Sequence, residues 1–593
     1  VSNDTKHNKL NLGLVRRILG YAGPYKLLFY GTIGLTLLLA AMAIVRPLLI
    51  STALNDFVIR DRSISQLNTI CLLMFGFLLL EAGLQIVNTR VTNLLGQNIV
   101  RDLRNEVYAH ILRLKNTYFD NTPVGTLVTR AISDIESLSD VFAQGFIVIA
   151  GDIVMLIIFI TAMFAKNWLL ALLSLSTIPL LFVATALFKR GVKKSFTQVR
   201  NAVAALNTFT QEHITGMRLV QLFNREETEL EKFREINRAH RAANIRSIFY
   251  YSVFFPVVEI LSSFSIALII WFVGVKGRSY EISLGDITFF IMMVNMLFRP
   301  IRMLADRLNT LQMGIVSAER VFRVLDTDET IANTGTQVFE RVKEEIVFDK
   351  VWFAYREQQY VLREVSFKIR AGQTVALVGA TGAGKSTIIN LLSRFYEYNK
   401  GRILIDGTDI RDLELTSLRK NTGVVLQDVY LFNDSVLNNI TLNNPAIRPE
   451  SVAEAARQIG LYDYILSLPG GFDYQVTERG QNLSAGQRQL IAFIRAFVYQ
   501  PAIFILDEAT AAIDTRTELL IQRAVEKISE GRTSVIIAHR LSTIKHVDKV
   551  LVFDKGEIAE EGSVQDLLGR DSRFRRLYEI SHKAGQPQEN YRN

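Results

Sequence analysis

Apolar residues gather into long blocks in the first half of this chain and into short alternating runs in the second. Residues 27–45 carry no charge and end at Arg46 and Pro47; 63–80 are free of basic and acidic groups beyond Arg62 and up to Glu81; 141–165 contain only Asp152, and 167–188 contain none. After a polar gap, 247–275 are interrupted only by Glu259, and 284–298 carry only Asp286 before Arg299 and Pro300. A helix needs about 20 mostly apolar residues to cross roughly 30 Å of hydrocarbon. The pattern therefore predicts an all-α membrane domain over 1–325 with spans at about 27–50, 63–88, 141–165, 167–188, 247–275 and 284–304.

Between these blocks, 91–140 and 189–246 are charged and nearly free of Gly and Pro, except at Thr122, Pro123, Val124 and Gly125 and around Gly216. That make-up predicts helical arms projecting on the order of 30 Å beyond the membrane, each reversing at a short turn. In 10–22, Leu10, Leu14, Val15, Ile18 and Leu19 recur at helical spacing with Arg16 and Arg17 on another face, the pattern of an interfacial helix on the inner leaflet. Residues 1–9 are polar, and the first apolar run is too long, and too soon followed by others, for a removable signal.

The 593 residues carry a net charge of +9 and a mean hydropathy of +0.20. The charge is uneven: 34 Lys and Arg face 25 Asp and Glu up to residue 330, and 33 face 33 beyond it. The excess flanks apolar blocks, with five basic residues before residue 27 and twelve in 189–246, whereas the short intervening loops hold only Arg60, Arg62, Lys166, Lys276 and Arg278. Basic residues collect on the cytoplasmic side. The charge is thus a topology signal, giving a multi-pass protein of the inner or plasma membrane with cytoplasmic termini. Nucleic acid is not a predicted partner. The single cysteine, Cys71, excludes an intrachain disulfide and a cysteine zinc framework.

After a polar linker at 326–340 the pattern changes to α/β punctuation over 341–593, with strands at 345–355 and 374–378. The second strand runs into Gly379, Ala380, Thr381, Gly382, Ala383, Gly384, Lys385, Ser386 and Thr387, followed by an apolar helical run at 388–395. This is a phosphate-binding loop in its strand-loop-helix setting. Glycines let backbone amides curl around phosphates at a helix N-terminus, Lys385 supplies a point charge, and the Ser386 hydroxyl supplies a Mg²⁺ ligand. A second apolar strand, 503–506, ends in Asp507 and Glu508: one carboxylate for the water shell of the metal, the next to polarise the attacking water.

Between these elements stand Leu483, Ser484, Ala485, Gly486 and Gln487, similar to the Leu-Ser-Gly-Gly-Gln signature of ABC ATPases. With Gln427, Asp514 and His539 in their order, the chain resembles, over essentially its whole length, a half-transporter of the ABC exporter family: a P-loop ABC ATPase fused behind six membrane helices. The resemblance implies that Tyr355 stacks on adenine and Gln427 reaches Mg²⁺. It implies that His539 contacts the γ-phosphate and Glu508 is the general base. It also implies that Ser484, Gly486 and Gln487 cap ATP held by a second half-transporter, and that segments around 116–126 and 211–225 dock on ATPase domains, sensed by a loop at 476–480.

Two positions depart from the family pattern, Ala485 for the first signature glycine and Ala511 for a usual serine. A drifted signature beside an intact Glu508 and His539 suits the catalytically complete chain of a heterodimer; a homodimer is the alternative. Inside the membrane blocks, Glu259 reads either as a cavity group for cations or protons or as an interhelical partner, and Asp152 reads as an interhelical pair before a cavity group. Asn295, Arg299, Arg302, Asp306 and Asn309 share one helical face, with Asn295, Arg299 and Arg302 as candidate cavity wall and Asp306 and Asn309 solvated. Phe254, Phe255 and Phe264 read as lipid-facing before drug-binding. The predicted activity is ATP-hydrolysis-driven export of hydrophobic or amphipathic compounds (drugs, lipids or peptides) across the membrane by alternating access, as half of a dimer, with ATP and Mg²⁺ as cofactors; import by the same architecture and an ATP-gated channel are the rivals.

Overall fold

The computed structural model describes residues 12–60, 64–276, 282–330, 333–507, 515–538, 544 and 546–584. The chain divides into two compact units, Val1–Leu112 with Val124–Asp328 and Arg113–Pro123 with Glu329–Asn593.

The first unit is helical: α1 (Leu12–Gly20), α2 (Lys26–Met42), α3 (Val45–Thr52) and α4 (Ile64–Ile111), then, after the excursion α5 (Asn116–Asn121) into the second unit, α6 (Val124–Thr129), α7 (Ile135–Asp140), α8 (Ile147–Lys166), α9 (Trp168–Leu175), α10 (Ile178–Thr215), α11 (Met217–Leu222), α12 (Glu226–Lys276) and α13 (Leu284–Leu325). Wider π-helical turns fill Ala53–Arg60, Arg130–Asp134 and Val141–Phe146. Six segments among the described residues are long and apolar enough to cross a membrane: Gly23–Arg60, Ile64–Ile111, Ile147–Lys166, Trp168–Thr215, Glu226–Lys276 and Leu284–Ile301. The chain is a multi-pass membrane protein.

Helices α4 and α10 pass from apolar to charged sequence, and α12 from charged to apolar with Pro256 inside it, each as one continuous helix. Stops occur where side chains supply them. Asn167 leaves helical geometry between α8 and α9, and its carboxamide oxygen accepts from the Leu169 and Leu170 amides at 3.1 Å each. Ser283 opens α13 in a reciprocal capping box with Asp286, whose carboxylate also meets Lys166 at 3.2 Å.

The packing is inverted relative to a water-soluble domain. Leu72, Leu73, Phe75, Leu79 and Ile86 of α4 point outward, as lipid rewards. Inside, Phe159, Met163, Leu170, Leu181, Phe289, Phe290 and Phe298 form a buried cluster. Phe254 belongs to it, stacked on Phe188 with centroids 4.1 Å apart, so its lipid-facing expectation is corrected. The reason is helical period: Phe254, Val258, Ser262, Ser265 and Ile269 make one buried stripe along α12, whereas Phe255 and Phe264 lie off it and are exposed. Asp152 of α8 pairs with Arg307 of α13, the interhelical reading.

The second unit carries β1 (Glu345–Ala354), β2 (Tyr360–Arg370), β3 (Thr374–Gly379), β4 (Lys400–Ile405), β5 (Thr408–Asp409), β6 (Thr422–Val425), β7 (Asp434–Ser435), β8 (Gln475–Val476), β9 (Ile503–Asp507), β10 (Thr533–Ile537), β11 (Lys549–Asp554) and β12 (Glu557–Gly562). A mainly parallel sheet has the order β12-β11-β3-β10-β9-β6, and an antiparallel sheet the order β2-β1-β4-β5. Both sheets bury their faces in one core with α14 (Lys385–Leu392), through Phe348, Phe367, Val375, Leu377, Ile388, Leu392, Ile505, Val535 and Leu551. A second core, around Leu431, Val436, Ile440, Leu490, Ile491 and Phe493, supports the helix Ala485–Val498.

Candidate ATP site

Parallel pairing of β3, β10, β9 and β6 brings the carboxyl ends of these strands to one edge, where open α/β sheets bind ligands. Ile537 faces both Leu377 and Asp507 across its two neighbours, which puts Asp507 level with the end of β3. Gln427 follows β6 by two residues at the same edge and is exposed.

At that edge β3 delivers the loop 380–384, and α14 starts at Lys385 with Gly384 as its N-cap. The Lys385 side chain is folded into its own loop, its Nζ donating to the carbonyls of Gly379 at 2.8 Å and Ala380 at 2.9 Å. Burial pushes the ammonium below the usual lysine range, with Asp507 opposing that shift. Around it lie exposed Thr381, Gly382 and Ser386, while Ala383 and Thr387 are buried beneath. Ser386 in the first turn of α14 and Asp507 at the end of β9 are oxygen donors, with Gln427 a third: a donor set that fits Mg²⁺.

Tyr355, just past β1, is held above α14. Its hydroxyl lies 3.2 Å from Thr387 Oγ1 and accepts from Asn390 Nδ2 at 3.0 Å, leaving the ring about two-fifths exposed. The ring edge packs on Phe353 and Tyr396. The Tyr396 hydroxyl in turn donates to Asp120 Oδ2 of α5 at 2.6 Å. Burial first, then this bond, holds its pKa above the ordinary tyrosine range. Sequence reasoning named neither Asn390 nor the Tyr396–Asp120 pair. No spacing links residues 276 positions apart; the one available signal is that Tyr396 comes four residues after the end of the phosphate-loop helix.

The signature residues occupy a different core. Leu483 is buried, Ser484 accepts from the Gln487 amide at 3.2 Å, and Gln487 Oε1 accepts from the Ser484 amide at 2.8 Å, a complete capping box. Ser484 and Ala485 are exposed at this helix start and Gly486 is buried. Glu508, Ala511, Asp514 and His539 lie outside the described residues. In the membrane unit Glu259, Asn295 and Arg299 are exposed, and the Asn295 amide group donates to the Ile291 carbonyl at 3.0 Å. Glu259 stands on α12, whereas Asn295, Arg299 and Arg302 all stand on α13.

The comparisons decide the family. Residues 28–301 match the family model described as ABC transporter transmembrane region, and 362–511 match the one described as ABC transporter. This chain belongs to the ABC transporters. It is similar to the ABC transporter ATP-binding protein YknV of Bacillus subtilis, 35% identical over 98% of this chain and 97% of that one. It is similar also to the ATP-dependent lipid A-core flippase of Syntrophus aciditrophicus, 34% identical over 96% and 95%. A bacterial Atm1-family ABC exporter solved with ATP bound superposes with a TM-score of 0.75 at 28% identity, covering 98% of this chain and all of that one. As an ABC transporter of exporter type, the protein binds and hydrolyses ATP.

Proposed function

We propose that the protein is one half of a dimeric exporter that moves lipophilic compounds or lipids out of the inner leaflet, ATP binding closing the ATPase pair and hydrolysis resetting it. The observation that carries the dimer is the separation within the second unit. The phosphate loop rests on one core and the exposed Ser484 helix start on another. That helix start has its cap satisfied by Gln487 and is free to face a nucleotide on a second chain. The similarity to lipid A-core flippases supports lipid cargo.

In this reading Tyr355 leaves its Thr387 and Asn390 bonds to stack on adenine, the loop amides and Lys385 take the phosphates, and Glu508 orients and deprotonates the attacking water with His539 at the γ-phosphate. Ser386, Gln427 and Asp507 would hold Mg²⁺, which supplies charge neutralisation on the phosphates when bound. The ATPase domain and both termini are cytoplasmic. The partner is a second, different half-transporter, with this chain supplying the complete general base. Glu508→Gln should bind ATP yet abolish multiple turnover in proteoliposomes; undiminished phosphate release would refute the assignment. Full ATP turnover by the chain purified alone would replace the heterodimer with a homodimer.

A further inference from the structure

Segment 12–25 does more than lie against the bilayer. Ile18 is buried in a cluster with Leu95, Ile99, Leu103, Val321 and Phe322, so this part of the chain is packed on protein. Three side chains spaced by four, Arg17, Tyr21 and Tyr25, then engage two different helices. Arg17 Nη1 lies 2.8 Å from both carboxylate oxygens of Asp326, the residue that ends α13, and its guanidinium sits 4.2 Å over the Phe322 ring. Tyr21 stacks on that same ring at 5.8 Å and donates its hydroxyl to Glu106 of α4 at 2.9 Å. Tyr25 donates to Asp102 of α4 at 2.5 Å and accepts from Arg101 at 2.9 Å. One turn beyond, His110 near the end of α4 contacts the Thr327 carbonyl at 3.1 Å.

We propose that Arg17, Tyr21 and Tyr25 form a clasp that fastens the last turn of α13 to the cytoplasmic half of α4, making them one body in the transport cycle. α13 is the helix from which the chain leaves the membrane unit, so the direction of its last turn sets how motion passes along the chain. An exposed ion pair alone fixes little. Here the pair shares its Phe322 platform with a second ring whose hydroxyl is tied to the other helix, so α13 cannot shift along α4 without breaking several contacts together. Arg17 and Asp326 are positioning residues; they touch neither ATP nor cargo.

The proposal rests on the ATP-driven transport reading for its role, and on geometry alone for its existence, and the test separates the two. The full chain in nanodiscs is examined as Arg17→Ala, Asp326→Ala, Arg17→Lys and the double exchange Arg17→Asp with Asp326→Arg. Amide exchange at 320–328 should quicken about threefold in each alanine variant, the change an ordinary surface ion pair supports, less in Arg17→Lys, and return toward the parent rate in the double exchange. ATP turnover should fall in parallel and recover in the double exchange, with KM for ATP unchanged. Unchanged exchange in both alanine variants, or a double exchange no better than either single one, overturns the clasp. Altered exchange with unaltered turnover overturns its role in the cycle. Turnover is read with the partner half-transporter reconstituted alongside; its absence there in the parent defeats the transport reading instead, while the exchange data still decide the clasp.

Discussion

Gly379 sits where the central strand β3 becomes the phosphate loop, and its replacement by alanine gives the sharpest test of how that loop is held. Its φ is +155°, outside the range that residues with a Cβ favour, and a Cβ there would lie 2.3 Å from the Phe553 carbonyl oxygen of the paired strand β11. A comfortable carbon–oxygen contact is about 3.3 Å or more, so the overlap is about 1 Å. The oxygen cannot retreat, because β11 is paired on both sides, to β3 and to β12. Backbone strain of about 1–3 kcal/mol and overpacking of about 1–3 kcal/mol give roughly 2–6 kcal/mol for Gly379→Ala. Gly382 is the control: its φ is +83° but nothing lies within 4 Å of its added Cβ, so Gly382→Ala should cost only about 1 kcal/mol. Native-state amide exchange of 374–378 and 549–553 reads both as opening free energies. Gly379→Ala should speed exchange by about thirtyfold or more, and Gly382→Ala by about fivefold at most. Equal effects, or less than about 1 kcal/mol at Gly379, would refute the reasoning that neighbouring backbone, not loop conformation, fixes this junction.

Other changes probe other parts. Ser484→Ala removes the cap of the signature helix and should lower the opening free energy of 485–490 by about 1 kcal/mol, with a larger loss of ATP turnover if the same hydroxyl faces a second chain's nucleotide. Tyr396→Phe keeps the ring against Tyr355 but deletes the donor to Asp120; a cost of about 1 kcal/mol should make tryptic cleavage after Lys115 about fivefold faster, and an unchanged rate would show that the ring packing alone holds α5. Because burial lowers the Lys385 pKa and bound phosphate would raise it, ATP binding takes up a proton once the free lysine is neutral. ATP affinity should therefore weaken as pH rises through that lowered pKa, and Lys385→Arg should flatten the profile.

What was legible in the sequence follows from the range of the physics involved. The apolar blocks could be read because a lipid span is a local demand on about 20 consecutive residues. The loop at 379–387 could be read because phosphate needs its glycines, lysine and hydroxyl at fixed short spacing. The rest depends on partners that no window contains. Phe254 and Phe255 are adjacent phenylalanines in one block, yet one is core and the other surface, a choice made by the packing of α12 on α10 and α13. Residues 113–123 read as part of an arm by composition, and only the family resemblance implied that the segment around 116–126 docks on an ATPase domain; the Lys115 amide bonds the Glu329 carbonyl and Asp120 receives Tyr396, which joins this stretch to the second unit. The Arg17–Asp326 pair spans 309 positions. Arg16 and Arg17 look alike in sequence, and the places of Asp326 and Phe322 single out Arg17.

The unbroken helix α12 has a mechanical consequence. Its 51 residues make a rod about 75 Å long. Pro256 lies 30 residues from its start, dividing it into a shaft of about 45 Å and a membrane end of about 30 Å. The proline lacks an amide hydrogen and frees the carbonyl four residues before it, so it is the compliant point of the rod. Flexing there by 10° would swing the far end of the shaft by about 8 Å while the membrane end stayed in its packed stripe. The protein thus has a lever whose fulcrum is written into its sequence as a single proline, trading a small angle at Pro256 for a displacement of several ångströms at the far end of the shaft.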